Sequence, residues 1–80
     1  MTKAFVLINC ELGSEDHVIS KLKTFSDVKQ VQGTFGAYDI IAEISSESIE
    51  KIRETITWKI RQIEKIRSTL TLTKIEGQGE

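Results

Sequence analysis

Apolar positions along the chain fall into short runs of strand character and two stretches with helical spacing. Ala4-Phe5-Val6-Leu7-Ile8-Asn9 is rich in β-branched and aromatic residues, which suit a pleated strand, and it stops at the turn-like Glu11-Leu12-Gly13. Ser14 then precedes Glu15, Asp16 and His17, and Val18, Ile19, Leu22 and Phe25 follow at helical spacing. Acids in a first turn favour the positive end of the helix dipole, so this segment predicts a first helix with Ser14 as N-cap. Val28 to Phe35 predicts a second strand, weakened in its middle by Gly33. Gly36-Ala37 makes a tight link to a third strand, Tyr38-Asp39-Ile40-Ile41-Ala42-Glu43-Ile44, and the pair reads as a hairpin.

Ser45-Ser46-Glu47-Ser48 is a polar break and a cap. After it, Ile49, Ile52, Ile56, Ile60 and Ile63 recur at steps of three and four, which predicts one long amphipathic second helix. Ser68 to Ile75 alternates with period two, with Leu70 and Leu72 on one face and Thr69, Thr71 and Thr73 on the other. The order is βαββαβ, an α+β, ferredoxin-like arrangement: a four-stranded antiparallel sheet with two helices on one face. Residues 1–76 form one domain, and Gly77-Gln78-Gly79-Glu80 is a short polar tail.

The pattern on the strands asks for a partner. Right-handed crossovers put both helices on one sheet face and leave the other open. That open face should be polar in a monomer, yet strand one is apolar in both its Ala4/Val6/Ile8 and Phe5/Leu7 sets, and strand three turns Ile41 away from Tyr38, Ile40, Ala42 and Ile44. A contiguous apolar face on a soluble domain marks an association surface, most commonly of a two-fold homodimer. Phe5, Leu7 and Ile41 are its expected contacts, in a dimeric α+β barrel. Trp58 lies off the isoleucine stripe of helix two and is a candidate subunit anchor, or else a half-buried ring on the helix flank. The chain has no proline, so no strand edge is blocked and edge pairing is a second route to assembly.

Composition narrows the function classes. Eighty residues hold a single core. A formal net charge of -1 gives no electrostatic footprint for direct nucleic-acid binding, which rests on several Lys or Arg contacts to phosphates. The apolar runs are far shorter than a membrane span or a secretory core, so a cytoplasmic location is expected. One histidine and one cysteine, His17 and Cys10, cannot make an internal disulfide or complete a metal site, so neither metal nor cofactor is expected. The basic residues Lys51, Arg53, Lys59, Arg61, Lys65 and Arg67 are interleaved with acids and read as a solvated ion-pair face.

Three segments carry a family resemblance: Ala4-Phe5-Val6-Leu7-Ile8, the hairpin Gly36-Ala37-Tyr38-Asp39-Ile40-Ile41-Ala42, and Ile66-Arg67-Ser68-Thr69-Leu70-Thr71-Leu72. Together they resemble the effector-binding domain of the leucine- and asparagine-responsive (Lrp/AsnC) transcription regulators. The most specific elements are glycine-x-tyrosine-aspartate eight residues after Val28 and the serine-threonine-x-threonine start of the last strand. The resemblance implies domains that dimerise through their sheets, join into rings of dimers, and bind small amino-acid-like ligands between dimers. Carried over by position, Gly36 would let the backbone approach a ligand, and Tyr38 and Asp39 would flank it, with Asp39 pairing with an α-ammonium group. Thr69 and Thr71 would supply hydroxyls or shape the cleft. Full-length regulators of the family carry a helix-turn-helix domain first, so a first strand at Ala4 implies a stand-alone effector module with full-length regulators as candidate partners.

Two positions depart from the pattern. Where the family often has leucine-proline-glycine-valine before its final strand, this chain has Ile63-Glu64-Lys65-Ile66, which predicts a tighter helical turn or a charge near the cleft. Gly33 stands where the family tends to have a larger residue. The leading expectation is a non-enzymatic sensing and oligomerisation module. A small ferredoxin-like enzyme of monooxygenase or isomerase type and a purely structural oligomer are the alternatives. The scarcity of acid–base residues weighs against the enzyme.

Overall fold

The computed structural model describes residues 2–73; the expected tail and Ile75 lie outside the described residues. Six regular elements follow the expected order and a π-helical turn makes a seventh: β1 (Thr2–Cys10), α1 (Glu15–Leu22), β2 (Val28–Gly33), β3 (Ile40–Ser46), α2 (Ile49–Thr55) running into the π-helical turn (Ile56–Ile60), and β4 (Ile66–Thr73). The strands form one antiparallel sheet in the order β2-β3-β1-β4, the ferredoxin-like arrangement.

The period-two pattern decides which side chains meet the helices. Ala4, Val6 and Ile8 of β1 and Ile40, Ala42 and Ile44 of β3 are fully buried, together with Val18 and Leu22 of α1 and Ile52 and Ile60 of the second helical segment. Each such valine, leucine or isoleucine side chain contributes roughly 1.5–3 kcal/mol when fully buried. Both helices thus cover the face that carries the even-numbered residues of β1.

The hairpin is looser than expected. β2 ends at Gly33, opposite Ile40, so Gly33 closes the strand rather than interrupting it, and Phe35 falls in the loop, fully exposed. The link is not a Gly36-Ala37 turn but the loop of residues 34–39, closed by the Thr34 N–H donating to the Asp39 carbonyl at 2.8 Å and the Thr34 hydroxyl donating to the Tyr38 carbonyl at 2.6 Å. Gly36 sits in it at φ 131°, a backbone conformation that side chains disfavour.

Ser45 and Ser46 are buried residues of β3 and not a break. Ser48 alone caps α2, its hydroxyl accepting the Lys51 N–H at 3.3 Å. Ser14 is the N-cap residue of α1, but its hydroxyl donates back to the Glu11 carbonyl and makes no capping hydrogen bond to the helix.

Helix two is not α-helical throughout. Two consecutive four-residue steps, Ile52 to Ile56 to Ile60, overshoot a stripe by roughly 80° in a helix of 3.6 residues per turn. The wider π turn, closed by the Arg61 N–H on the Ile56 carbonyl at 2.8 Å, takes up that drift and leaves both isoleucines buried.

The turn before β4 is likewise not a tighter helix. Lys65 stands at φ 80°, the left-handed geometry a glycine would satisfy without strain. Two contacts hold it there: its carbonyl accepts the Glu11 N–H at 2.8 Å and its Nζ lies 3.3 Å from Glu11 Oε2. Among the described residues this is the single ion pair, so the alternating charges of helix two are solvated individually instead of pairing.

Candidate functional site

At the end of the sheet where β1 leaves and β3 enters, β1 runs past its last pairing with β3, Ile8 opposite Ile40. Asp39 takes over there. Its N–H donates to the Ile8 carbonyl and its Oδ2 accepts the Cys10 N–H, both at 3.0 Å. One carboxylate oxygen is thereby held by the scaffold, while the group keeps further acceptor positions.

Asp39 faces a cleft of about 490 Å³ lined by Asn9, Cys10, Leu12, Glu15, Arg67 and Ser68. On β4 the register shifts at this point: Asn9 pairs with Ser68 and Cys10 with Ile66, leaving Arg67 as the extra residue. A bulge of this kind re-aims a side chain and is frequent beside functional sites. The family resemblance made Thr69 and Thr71 of β4 candidates, but the bulge that sends Arg67 into the cleft breaks the strand's alternation, and so sequence reasoning missed Arg67. Glu15 was read only as a helix-capping acid.

The other expected ligand residues are not all brought together. Gly36 and Tyr38 belong to the loop that leads into Asp39. An added Cβ at Gly36 would meet nothing within 4 Å, so within the chain its glycine is required by backbone conformation and not by crowding. Thr69 borders a small polar hollow with Arg61, Arg67 and Ser68. Thr71 lies in a separate groove of about 410 Å³ against Ile52, Arg53, Ile56 and Thr57 of the second helical segment. Asp39 and Thr71 therefore do not share a cleft within one chain.

The open face of the sheet carries Phe5, Leu7 and Ile41, as the alternation indicated. Leu72 pairs across from Phe5 and Leu70 from Leu7, extending the apolar surface onto the edge strand. Phe5, Leu70 and Leu72 are 37%, 44% and 49% exposed. Trp58 is not part of this surface. It is 72% exposed on the helix layer, beside a cavity of about 540 Å³ with Asp27, Glu54 and Lys59. That cavity is slightly larger than the Asp39 cleft and holds three acids, Asp27, Glu47 and Glu54, of which Asp27 accepts the Thr55 hydroxyl at 3.0 Å.

Cys10 is a buried free thiol. Burial pushes its pKa up, the carboxylates of Asp39 and Glu15 add to the rise, and a hydrogen bond with Ser14 opposes it. Both acids thus act on the Cys10 thiol, and burial favours its protonated form. Among the described residues no group of three or more His, Cys, Asp or Glu is placed to hold a metal ion, and no helix is long and apolar enough to cross a membrane.

Comparison with known proteins identifies the family and the fold. The family model of the Lrp/AsnC ligand binding domain matches residues 3–76. The regulatory protein AsnC of Haemophilus influenzae is 31% identical over 62 residues, 78% of this chain and 41% of that protein. The HTH-type transcriptional regulator FL11 of Pyrococcus furiosus is 29% identical over 77 residues, 96% of this chain and 50% of that one. The chain thus spans half or less of the curated relatives it matches. The crystal structure of FFRP-DM1 is 32% identical and superposes with a TM-score of 0.89, covering 94% of this chain and 100% of that one. With a matching model over nearly its whole length and the fold to go with it, the chain belongs to the Lrp/AsnC ligand binding domain family.

Proposed function

We propose that this domain is a non-enzymatic sensor of a small amino-acid-like ligand that works by self-association, and that it modulates transcription or metabolism through the assemblies it forms. The observation that carries the reading is the apolar face that runs uncovered across β3, β1 and β4, through Ile41, Leu7, Phe5, Leu70 and Leu72. A second copy covers that face, and pairs of copies join into a ring. Gly36, Tyr38 and Asp39 of one copy and Thr69 and Thr71 of a neighbour line the ligand cleft, which accounts for their separation within a single chain. Asp39 accepts the ligand's ammonium group. Full-length regulators of the same family, such as the two relatives above, are the partners a mixed assembly would include.

The relatives are named as regulators, and the Asp39 cleft offers groups suited to holding a ligand rather than transforming one. A thermal-shift screen of the twenty amino acids, run beside light scattering, tests the reading. A specific ligand raises the apparent melting temperature by mass action and the scattering mass exceeds that of one chain. No shift with any amino acid would reduce the domain to a scaffold.

A further inference from the structure

We infer that the Asp39 cleft is a charge clamp selective for a diamino acid, in which Arg67 takes the ligand's carboxylate and Asp39 and Glu15 take its two ammonium groups. The inference rests on the amino-acid reading above and deepens it.

Three observations carry it. Arg67 is the extra residue of the β4 register shift, so it occupies the cleft rim through a backbone irregularity and not as a regular surface position of the strand. Arg67, Asp39, Glu15 and Cys10 line one cleft, and both acids act on the Cys10 thiol. None of Arg67, Asp39 and Glu15 is in an ion pair among the described residues. The cleft therefore holds one cationic and two anionic groups whose charges are not paired with each other.

A neutral α-amino acid carries one charge of each sign and would leave one of the two carboxylates without a counter-charge. A ligand with a second amine matches all three groups. A guanidinium suits the carboxylate because its planar fork binds both oxygens. Asp39, held by the Cys10 amide at 3.0 Å, is the more rigid acid and takes the α-ammonium. Glu15, in the first turn of α1, takes the distal amine. The cleft volume of about 490 Å³ lies within the range of small-molecule sites, roughly 300–1,000 Å³.

Calorimetric titration of the intact domain with lysine, norleucine and cadaverine tests this. Norleucine keeps the α-amino acid and lacks the distal amine; cadaverine keeps both amines and lacks the carboxylate. Lysine is expected to bind at least tenfold more tightly than either. Arg67→Gln is expected to erase the advantage over cadaverine and leave cadaverine binding unchanged, and Glu15→Gln to erase the advantage over norleucine. Arg67 is exposed and Glu15 half-buried, and unchanged melting curves verify that the variants fold. Norleucine binding as tightly as lysine, or an unaltered lysine affinity in Arg67→Gln, overturns the clamp while leaving an amino-acid sensor intact. Failure of all twenty amino acids to bind overturns both.

Discussion

The helix-covered face of the sheet holds Ala4, Val6, Ile8, Ile40, Ala42 and Ile44 with no exposed surface, whereas the opposite face holds Phe5, Leu7, Ile41, Leu70 and Leu72, three of them more than one-third exposed. The residue types are nearly the same. What differs is that α1 and α2 pack on only one side, the side on which right-handed crossovers place helices. Hydrophobicity alone therefore says little about function in this domain; an apolar face without a covering element of the same chain does.

The comparison is broken most severely on the covered side. Ile8→Ala or Ile44→Ala should cost about 2–5 kcal/mol through lost burial and the cavity left behind, a large part of a small domain's stability. Chemical denaturation should show that loss in any assembly state. On the open side, Leu70→Asp combined with Leu72→Asp should leave the single chain folded and raise the dimer dissociation constant at least 100-fold, about 2.7 kcal/mol. Sedimentation at several concentrations reads this directly, and an unchanged dissociation constant would place the association surface elsewhere.

The same two faces show what the sequence makes legible. Alternation in β1 and β4 gives away both faces, including Leu70 and Leu72, because side-chain direction in a strand follows position parity. The positions it hides are those where the backbone departs from a regular period. Arg67 enters the cleft only through a register shift. The Asp39 carboxylate is tied to Cys10, 29 residues away in the chain, which no local pattern encodes. The four-residue isoleucine steps predict one continuous amphipathic helix and not the π turn within helix two; only the accumulated drift of about 80° over two such steps signals it. Trp58 is visible as a ring off the isoleucine stripe, a subunit anchor or a half-buried ring, while its 72% exposure on the helix layer depends on tertiary packing.

Where the two faces meet, at the end of the sheet, the effects are smaller and separate support from binding. Asp39→Ala leaves the partly buried Cys10 amide without its acceptor and should cost about 1–3 kcal/mol. Asp39→Asn keeps an oxygen for that amide, so its melting temperature should stay closer to wild type while ligand affinity falls as far as in the alanine variant. If the two variants lose affinity to different extents in proportion to their stability, Asp39 is a structural residue alone. Lys65→Gly relieves a left-handed backbone and should add about 1 kcal/mol, raising the melting temperature by roughly 4–8 °C.

The smallest effect is one of pH. The folded-state pKa of Cys10 is raised, chiefly by burial, so the folded protein retains the thiol proton that the unfolded chain gives up. Stability from this group is complete below the ordinary thiol pKa of about 8.5 and falls as pH rises through the folded value. Cys10→Ala should flatten the decline in denaturation midpoint above that pH, at some general cost in packing.

The claim on which the account turns is that the open sheet face is covered by another copy of this chain. Light scattering coupled to size exclusion at micromolar concentration tests it most directly. The account predicts a mass of at least twice the 9.0 kDa chain for the wild type, collapsing to 9.0 kDa in the Leu70→Asp, Leu72→Asp variant. A wild-type domain that elutes at 9.0 kDa across that concentration range contradicts it.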